Sequence, residues 1–189
     1  MTTLFPKSYP TTGETGDAVL PAVTGLSMKE RVDGAEHIVT LTFQDVAVAL
    51  VDEAGVVAYK GTQVLDLPEG AYVIHGAVAN LALTKSSAGV NADWDGDFGV
   101  GTVTASNNAT LASTEQNIIP TTATPQAVSG ATTAKGVSTA ALYLDGTTTP
   151  SDVYLNFLVD DGDQDVTGTP CNLIVNGTLT VHYRHLGNH

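Results

Sequence analysis

The chain is predicted to be an all-β protein, a β-sandwich or jelly roll carrying an extended N-terminal arm, and three observations lead there. Thr is its commonest polar residue, with 27 copies among 189 residues, and Val is abundant, while Ala and Leu are scattered among β-branched neighbours. Several segments alternate apolar and polar residues with the period of two that a half-buried strand requires. Gly, Pro, Asn and Asp break these segments at short intervals, as turns do. The length suits a single core, so residues 37–189 are predicted to form one domain.

Residues 1–36 contain Pro6, Pro10 and Pro21 and show no periodicity, which predicts an arm ordered only where something holds it. His37–Phe43 alternates, with Val39, Leu41 and Phe43 on one face, and Val46–Val51 is a second run. Asp52–Gly55 reads as a turn into Val56–Lys60, and Val64–Leu67 as a short strand stopped by Pro68-Glu69-Gly70. Ala71–Thr84 is the longest candidate. It places Val73, His75, Ala77, Ala79, Leu81 and Leu83 on one face and Tyr72, Ile74, Gly76 and Val78 on the other, which predicts a central strand covered on both sides. Phe98–Ala105, Ser138–Leu144, Val153–Val159 and Leu173–His185 complete eight to ten strands. Asn156 faces away from the apolar side of its strand, and Asn176-Gly177 marks a bulge or a tight turn.

Charge narrows the function classes. A net charge of −13 and a pI near 4.4 repel phosphate backbones, and the seven basic residues form no patch along the sequence, so nucleic-acid binding is not expected. The N-terminus lacks the basic start and apolar run of a signal peptide, and no apolar run reaches transmembrane length, so the expectation is a chain made in the cytosol that stays soluble. Charge is also segregated. The 47 residues from Phe98 to Leu144 carry only Glu115 and Lys135, between acidic flanks at Asp93, Asp95 and Asp97 and at Asp145, Asp152 and Asp160–Asp165. Thirty residues of bare loop do not suit a compact domain, so the tract is predicted to be ordered by a neighbouring subunit. The interface candidates are Trp94, Phe98, Ile118, Ile119 and Pro120.

Chemistry is sparse. Asn91-x-Asp93-x-Asp95-Gly96 matches the first half of an EF-hand loop, but position twelve is Thr102 instead of the bidentate Glu. Asp161, Asp163 and Asp165 repeat the alternate-carboxylate spacing, so Asp93, Asp95, Asp161 and Asp163 are the Ca²⁺ candidates, set against a plain reading as turn aspartates. No nucleophile elbow, phosphate loop or His-Glu-x-x-His occurs, and a glycosidase would need more aromatics than Trp94 and a few Tyr. His182 and His185, three apart on a strand, fall on opposite faces and cannot share a metal. Cys171 has no disulfide partner within the chain and reads as a small hydrophobe. Trp94 either anchors a partner or plugs the end of the sandwich.

Three segments, Val46–Tyr59, Leu81–Gly99 and Asp152–Asp161 through Thr167–Gly177, give the chain its likeness: it resembles small tailed-bacteriophage virion proteins that are head-associated or decorate the capsid as cement. The resemblance is of overall sequence and brings no active-site residues or cofactor. It implies a non-enzymatic structural protein on the capsid exterior, synthesised in the host cytoplasm, with the major capsid protein and further copies of itself as partners, a trimer first among them. The arm would then grip the lattice and the uncharged tract would supply subunit contacts. The competing reading is a Ca²⁺-dependent carbohydrate-binding β-sandwich with Trp94 as its stacking platform, in a host-attachment or adhesin role.

Overall fold

The computed structural model describes residues 20–53, 57–147, 151–160 and 165–187, which form two antiparallel sheets packed face to face. The first sheet runs in the order β1 (Leu26–Asp33), β2 (Glu36–Ala49), β11 (Asn172–Gly187), β5 (Gly70–Lys85) and β8 (Ala131–Val137). A further strand, β9 (Leu142–Gly146), pairs with the other end of β5. The second sheet runs β3 (Val51–Glu53), β4 (Val57–Asp66), β10 (Asp152–Asp160), β6 (Gly96–Gly101) and β7 (Ile119–Thr124). The all-β sandwich expected from composition and alternation is therefore the fold.

Alternation fixes which side chains make the core. On β11 the odd positions from Leu173 to Tyr183 turn inward, Gly177 excepted, and on β10 Val153, Leu155, Phe157 and Val159 do the same. Bulges correct the phase where the sequence slips. On β2 the buried residues are Val39, Leu41 and Phe43 and then Val46 and Val48, so parity changes at Gln44-Asp45. These two residues stand opposite the single Asn176 of β11, and Asp45 takes φ 54°. The Asn176 side chain holds the bulge, accepting from Asp45 N at 2.9 Å and donating to Asp45 Oδ1 at 3.0 Å. What the sequence suggests as two strands is one bulged strand, and Asn176-Gly177 lies at that bulge and makes no turn.

β5 carries a second bulge. Its partners on β11 jump from His182↔Gly76 to Tyr183↔Ile74, leaving His75 as the extra residue. Tyr72 and Ile74 consequently point inward on one side of it and Ala77, Ala79, Leu81 and Leu83 on the other, while His75 is exposed. This corrects the predicted single face running from Val73 through His75. It also corrects the expectation of a strand covered on both sides, because Val78, Asn80, Ala82 and Thr84 face outward uncovered.

The first sheet begins with a strand where an arm was predicted. Residues 26–33 are β1, hydrogen-bonded to β2 over its whole length, and residues 1–19 lie outside the described residues. Glu30 points inward from β1 and is buried; His37 Nδ1 lies 2.5 Å from its Oε1, and Tyr183 Oη donates to the same oxygen at 3.2 Å. His37 stacks on Tyr183 with centroids 4.7 Å apart, and Tyr72 meets Tyr183 edge-on at 5.9 Å.

The charge-bare tract is ordered by its own chain. Residues 119–124, 131–137 and 142–146 are β7, β8 and β9, and residues 102–118 fold back over the outer face of the second sheet. There Ala105 and Leu111 join Val57 and Leu158 in a small apolar cluster, with Tyr59 packed against it. Asn156, fully buried, pins this lid: it accepts from Ala105 N at 2.8 Å and donates to Val103 O at 2.9 Å and Glu115 O at 2.7 Å. Glu115, one of the two charges in the tract, is spent inside it, accepting from Ser106 N, Ser106 Oγ and Ala112 N. An intramolecular supply of hydrogen bonds removes the need for a neighbouring subunit to order the segment.

Candidate interaction surface

Among the described residues, with the lid over the second sheet, the outer face of the first sheet is the broad strand surface left uncovered. Sheet register gathers on it residues far apart in sequence. Lys29 and Arg31 alternate with the inward Glu30 on β1, Lys135 is outward on β8 opposite Asn80, and Arg184 is outward on β11 opposite Glu36. These are four of the chain's seven Lys and Arg residues. Asp33, Glu36, Asp45 and Asp145 lie on the same side of the sheet, so this face is close to neutral in a chain of net charge −13. The fold spreads these basic residues across the sheet, with Lys135 on β8 four strands from Lys29 and Arg31 on β1.

Glu36 organises the middle of the face. Its Oε2 lies 3.0 Å from His182 Nε2 and 3.6 Å from His75 Nε2, and its Oε1 lies 3.7 Å from Arg184 Nε. The two imidazoles are 5.1 Å apart, centroid to centroid. His75 reaches this cluster only because the β5 bulge turns it outward.

A groove of about 260 Å³ lies next to His182, lined also by Gly76, Ala77, Val78, Val137, Ser138 and Thr180. Its origin is a gap in strand pairing. β8 pairs with β5 from Val78 to Thr84 and β9 from Gly70 to Ile74, so neither reaches His75–Ala77. Ser138 fills in for the missing strand: its amide donates to Ala77 O at 2.9 Å and its hydroxyl accepts from Ala77 N at 2.8 Å. Val78 and Val137, register partners on the groove wall, are 45% and 60% exposed, which makes the groove apolar in its lining and open to a partner.

The residues singled out from sequence lie elsewhere. Trp94 is 1% exposed and its Nε1 donates to Gly130 O at 3.1 Å, so it plugs the sandwich and is no stacking platform for a sugar. Phe98, Ile118 and Ile119 are buried in the same core, and a Cβ on Gly136 of β8 would come within 2.7 Å of Phe98 Cζ and 2.8 Å of Ile119 Cγ2. Their apolar surface is used within the subunit, which corrects their reading as interface residues; Pro120 is half-buried on β7. Cys171 is buried, its thiol donates to Leu50 O at 3.3 Å, and burial followed by the charge of Asp52 raises its pKa. His182 and His185 do fall on opposite faces: His185 stacks on Tyr72, with its Nε2 3.1 Å from Glu69 O.

The two acidic loops adjoin. Val90 bridges Val166, Asn91 N donates to Asp165 O at 2.8 Å, and Asp95 N donates to Asp165 Oδ2 at 2.8 Å. Asp165 thus ties the loops together through backbone amides, the turn-aspartate role. Asp93 is exposed and Asp95 half-buried, while Asp161 and Asp163 lie outside the described residues. Among the described residues no group of three or more His, Cys, Asp or Glu side chains is arranged as a metal site, and no helix is long and apolar enough to cross a membrane. Compared with known proteins, the chain matches no family model and no curated sequence.

Proposed function

We propose that the chain is a non-enzymatic structural subunit of a tailed-phage particle, docking on the exterior of the protein shell through the outer face of its first sheet. The observation that carries this reading is that face: uncovered among the described residues, close to neutral in an acidic chain, and provided with an open apolar groove at Val78 and Val137. A near-neutral face escapes the repulsion that the rest of an acidic surface exerts on other protein, and the apolar groove supplies the contact. The acidic remainder of the molecule then faces solvent and neighbouring particles. The sequence resemblance to head-associated and decoration proteins supports the same assignment, and self-association as a trimer belongs to it.

The test is imaging of particles with the chain bound, paired with the triple charge reversal Lys29→Glu, Arg31→Glu and Lys135→Glu. Wild-type density is expected on the shell with the first sheet turned toward it, and the reversal should abolish binding while leaving the melting profile intact. Density with the lid side against the shell, or undiminished binding by the reversed variant, would sink the proposal.

A further inference from the structure

The β5 bulge sets an outward His75 beside the outward His182. His182 is the register partner of Gly76, and the next pair is Tyr183↔Ile74, so His75 is the extra residue between them. Gly76 brings no side chain to the space beside His182, where a cross-strand neighbour would stand. The His75 ring takes that space, with centroids 5.1 Å apart and planes tilted by 47°. Bulges re-aim side chains in this way beside active sites. Both rings stay open to solvent, their side chains 40% and 42% exposed.

The two rings also converge. Each presents Nε2 to the same atom, Glu36 Oε2, at 3.6 Å from His75 and 3.0 Å from His182. Zn–N bonds of about 2.0–2.1 Å, made at the tetrahedral angle by two imidazoles through Nε2, set the ring centres about 5 Å apart. The pair already stands at that spacing. Facing a carboxylate, His182 Nε2 acts as the donor. Binding an ion requires each ring to carry its proton on Nδ1 instead, a tautomer exchange that water performs on exposed imidazoles.

We propose that His75 and His182 bind a divalent transition-metal ion of the Zn²⁺ class through their Nε2 atoms, with water completing the coordination. Imidazole suits Zn²⁺, Ni²⁺ and Cu²⁺, whereas Ca²⁺ and Mg²⁺ take oxygen donors. Two protein donors are fewer than a dedicated zinc site uses, so the ion is exchangeable and its remaining positions face solvent. Glu36 accepts a hydrogen bond from a water on the ion and offsets its charge. Arg184, whose Nε lies 3.7 Å from Glu36 Oε1, opposes the ion, and its exposed side chain turns to solvent when the ion binds. The site is separate from the acidic loops at Asp93 and Asp95 and does not rest on the docking proposal.

The experiment titrates the full chain with Zn²⁺ by calorimetry and follows the ¹⁵N resonances of the histidine rings. Saturable binding is expected, moving the Nε2 signals of His75 and His182 together and leaving the buried His37 in place. Mg²⁺ should produce neither heat nor shift. His75→Ala and His182→Ala should each abolish the binding, and Glu36→Gln should weaken it about tenfold. Arg184→Gln should strengthen it severalfold, since a positive charge is removed and no ligand is touched. Melting curves of the variants show that the sandwich is intact, and the wild-type resonances test the site without any substitution. Shifts confined to His185, an affinity unchanged in either alanine variant, or no response of the wild type to millimolar Zn²⁺ would overturn the assignment.

Discussion

Replacing Asn156 by Ala should detach the lid formed by residues 102–118 without unfolding the sandwich beneath it. The side chain is fully buried and makes three hydrogen bonds, two within the buried interior (Ala105 N and Glu115 O) and one nearer the rim (Val103 O). At a net value of ~1 kcal/mol per bond the loss is at least ~3 kcal/mol. Leaving all three groups buried and unpaired would cost up to ~9 kcal/mol at ~3 each, but that figure is not reached, because the lid opens to water first. Opening exposes Leu111, whose burial contributes ~1.5–3 kcal/mol, so the expected total is ~4.5–6 kcal/mol. Urea unfolding gives the total, and hydrogen exchange locates it: the Ala105 amide should lose protection while the β11 amides at Leu179 and Val181 keep theirs. Asn156→Asp should be at least as damaging, since a carboxylate retains the Ala105 acceptor but faces two carbonyl oxygens with no proton to offer. A loss below ~1 kcal/mol with Ala105 still protected would refute the reasoning, because it would mean the three bonds are replaceable.

Gly61 sits beneath the same lid, and a Cβ there would collide with Thr104 Oγ1, Asn156 Oδ1 and the Ala105 amide. Gly61→Ala should therefore cost ~1–3 kcal/mol by overpacking, and combined with Asn156→Ala the two losses should sum to less than their parts in urea titrations, since both release one segment. The sole tryptophan, Trp94, should emit at short wavelength and resist iodide quenching, and Trp94→Phe should lower stability by ~1–3 kcal/mol through the lost bond to Gly130 O and an underfilled core; ready quenching of the wild type would contradict the burial.

The elements legible in the sequence are those whose alternation is unbroken. Val153–Val159 and Leu173–Tyr183 declare their inward faces at every second residue, and both are central strands. Where a bulge inserts one residue, the period survives on each side but the phase does not. The Gln44-Asp45 bulge therefore looks like a strand break, and the His75 bulge sends a whole apolar row to the wrong face on paper. The strands within 119–146 are hidden by Thr, Ala and Gly, which carry little amphipathic contrast while pairing well enough through the backbone. The cluster around Glu36 is invisible for another reason: Glu36 meets His75, His182 and Arg184 only through antiparallel register, which no local pattern encodes. Aromatic and branched residues around Trp94 and Ile119 suggest an interface by type alone, and type does not distinguish a subunit's own core from a contact with another.

The buried Glu30 has a consequence for crowding. β1 is the edge of the first sheet, and an open edge can recruit strands from other copies. Adding a strand there would have to accommodate Lys29 and Arg31 on the outward side and a carboxylate already committed to His37 and Tyr183 on the inward side. At the other extreme, the second sheet begins with a strand of three residues, too short to template much. Copies concentrated on a common surface can therefore associate through faces while runaway polymerisation by strand addition is discouraged, which lets a Thr- and Val-rich β protein be packed densely without turning into fibres.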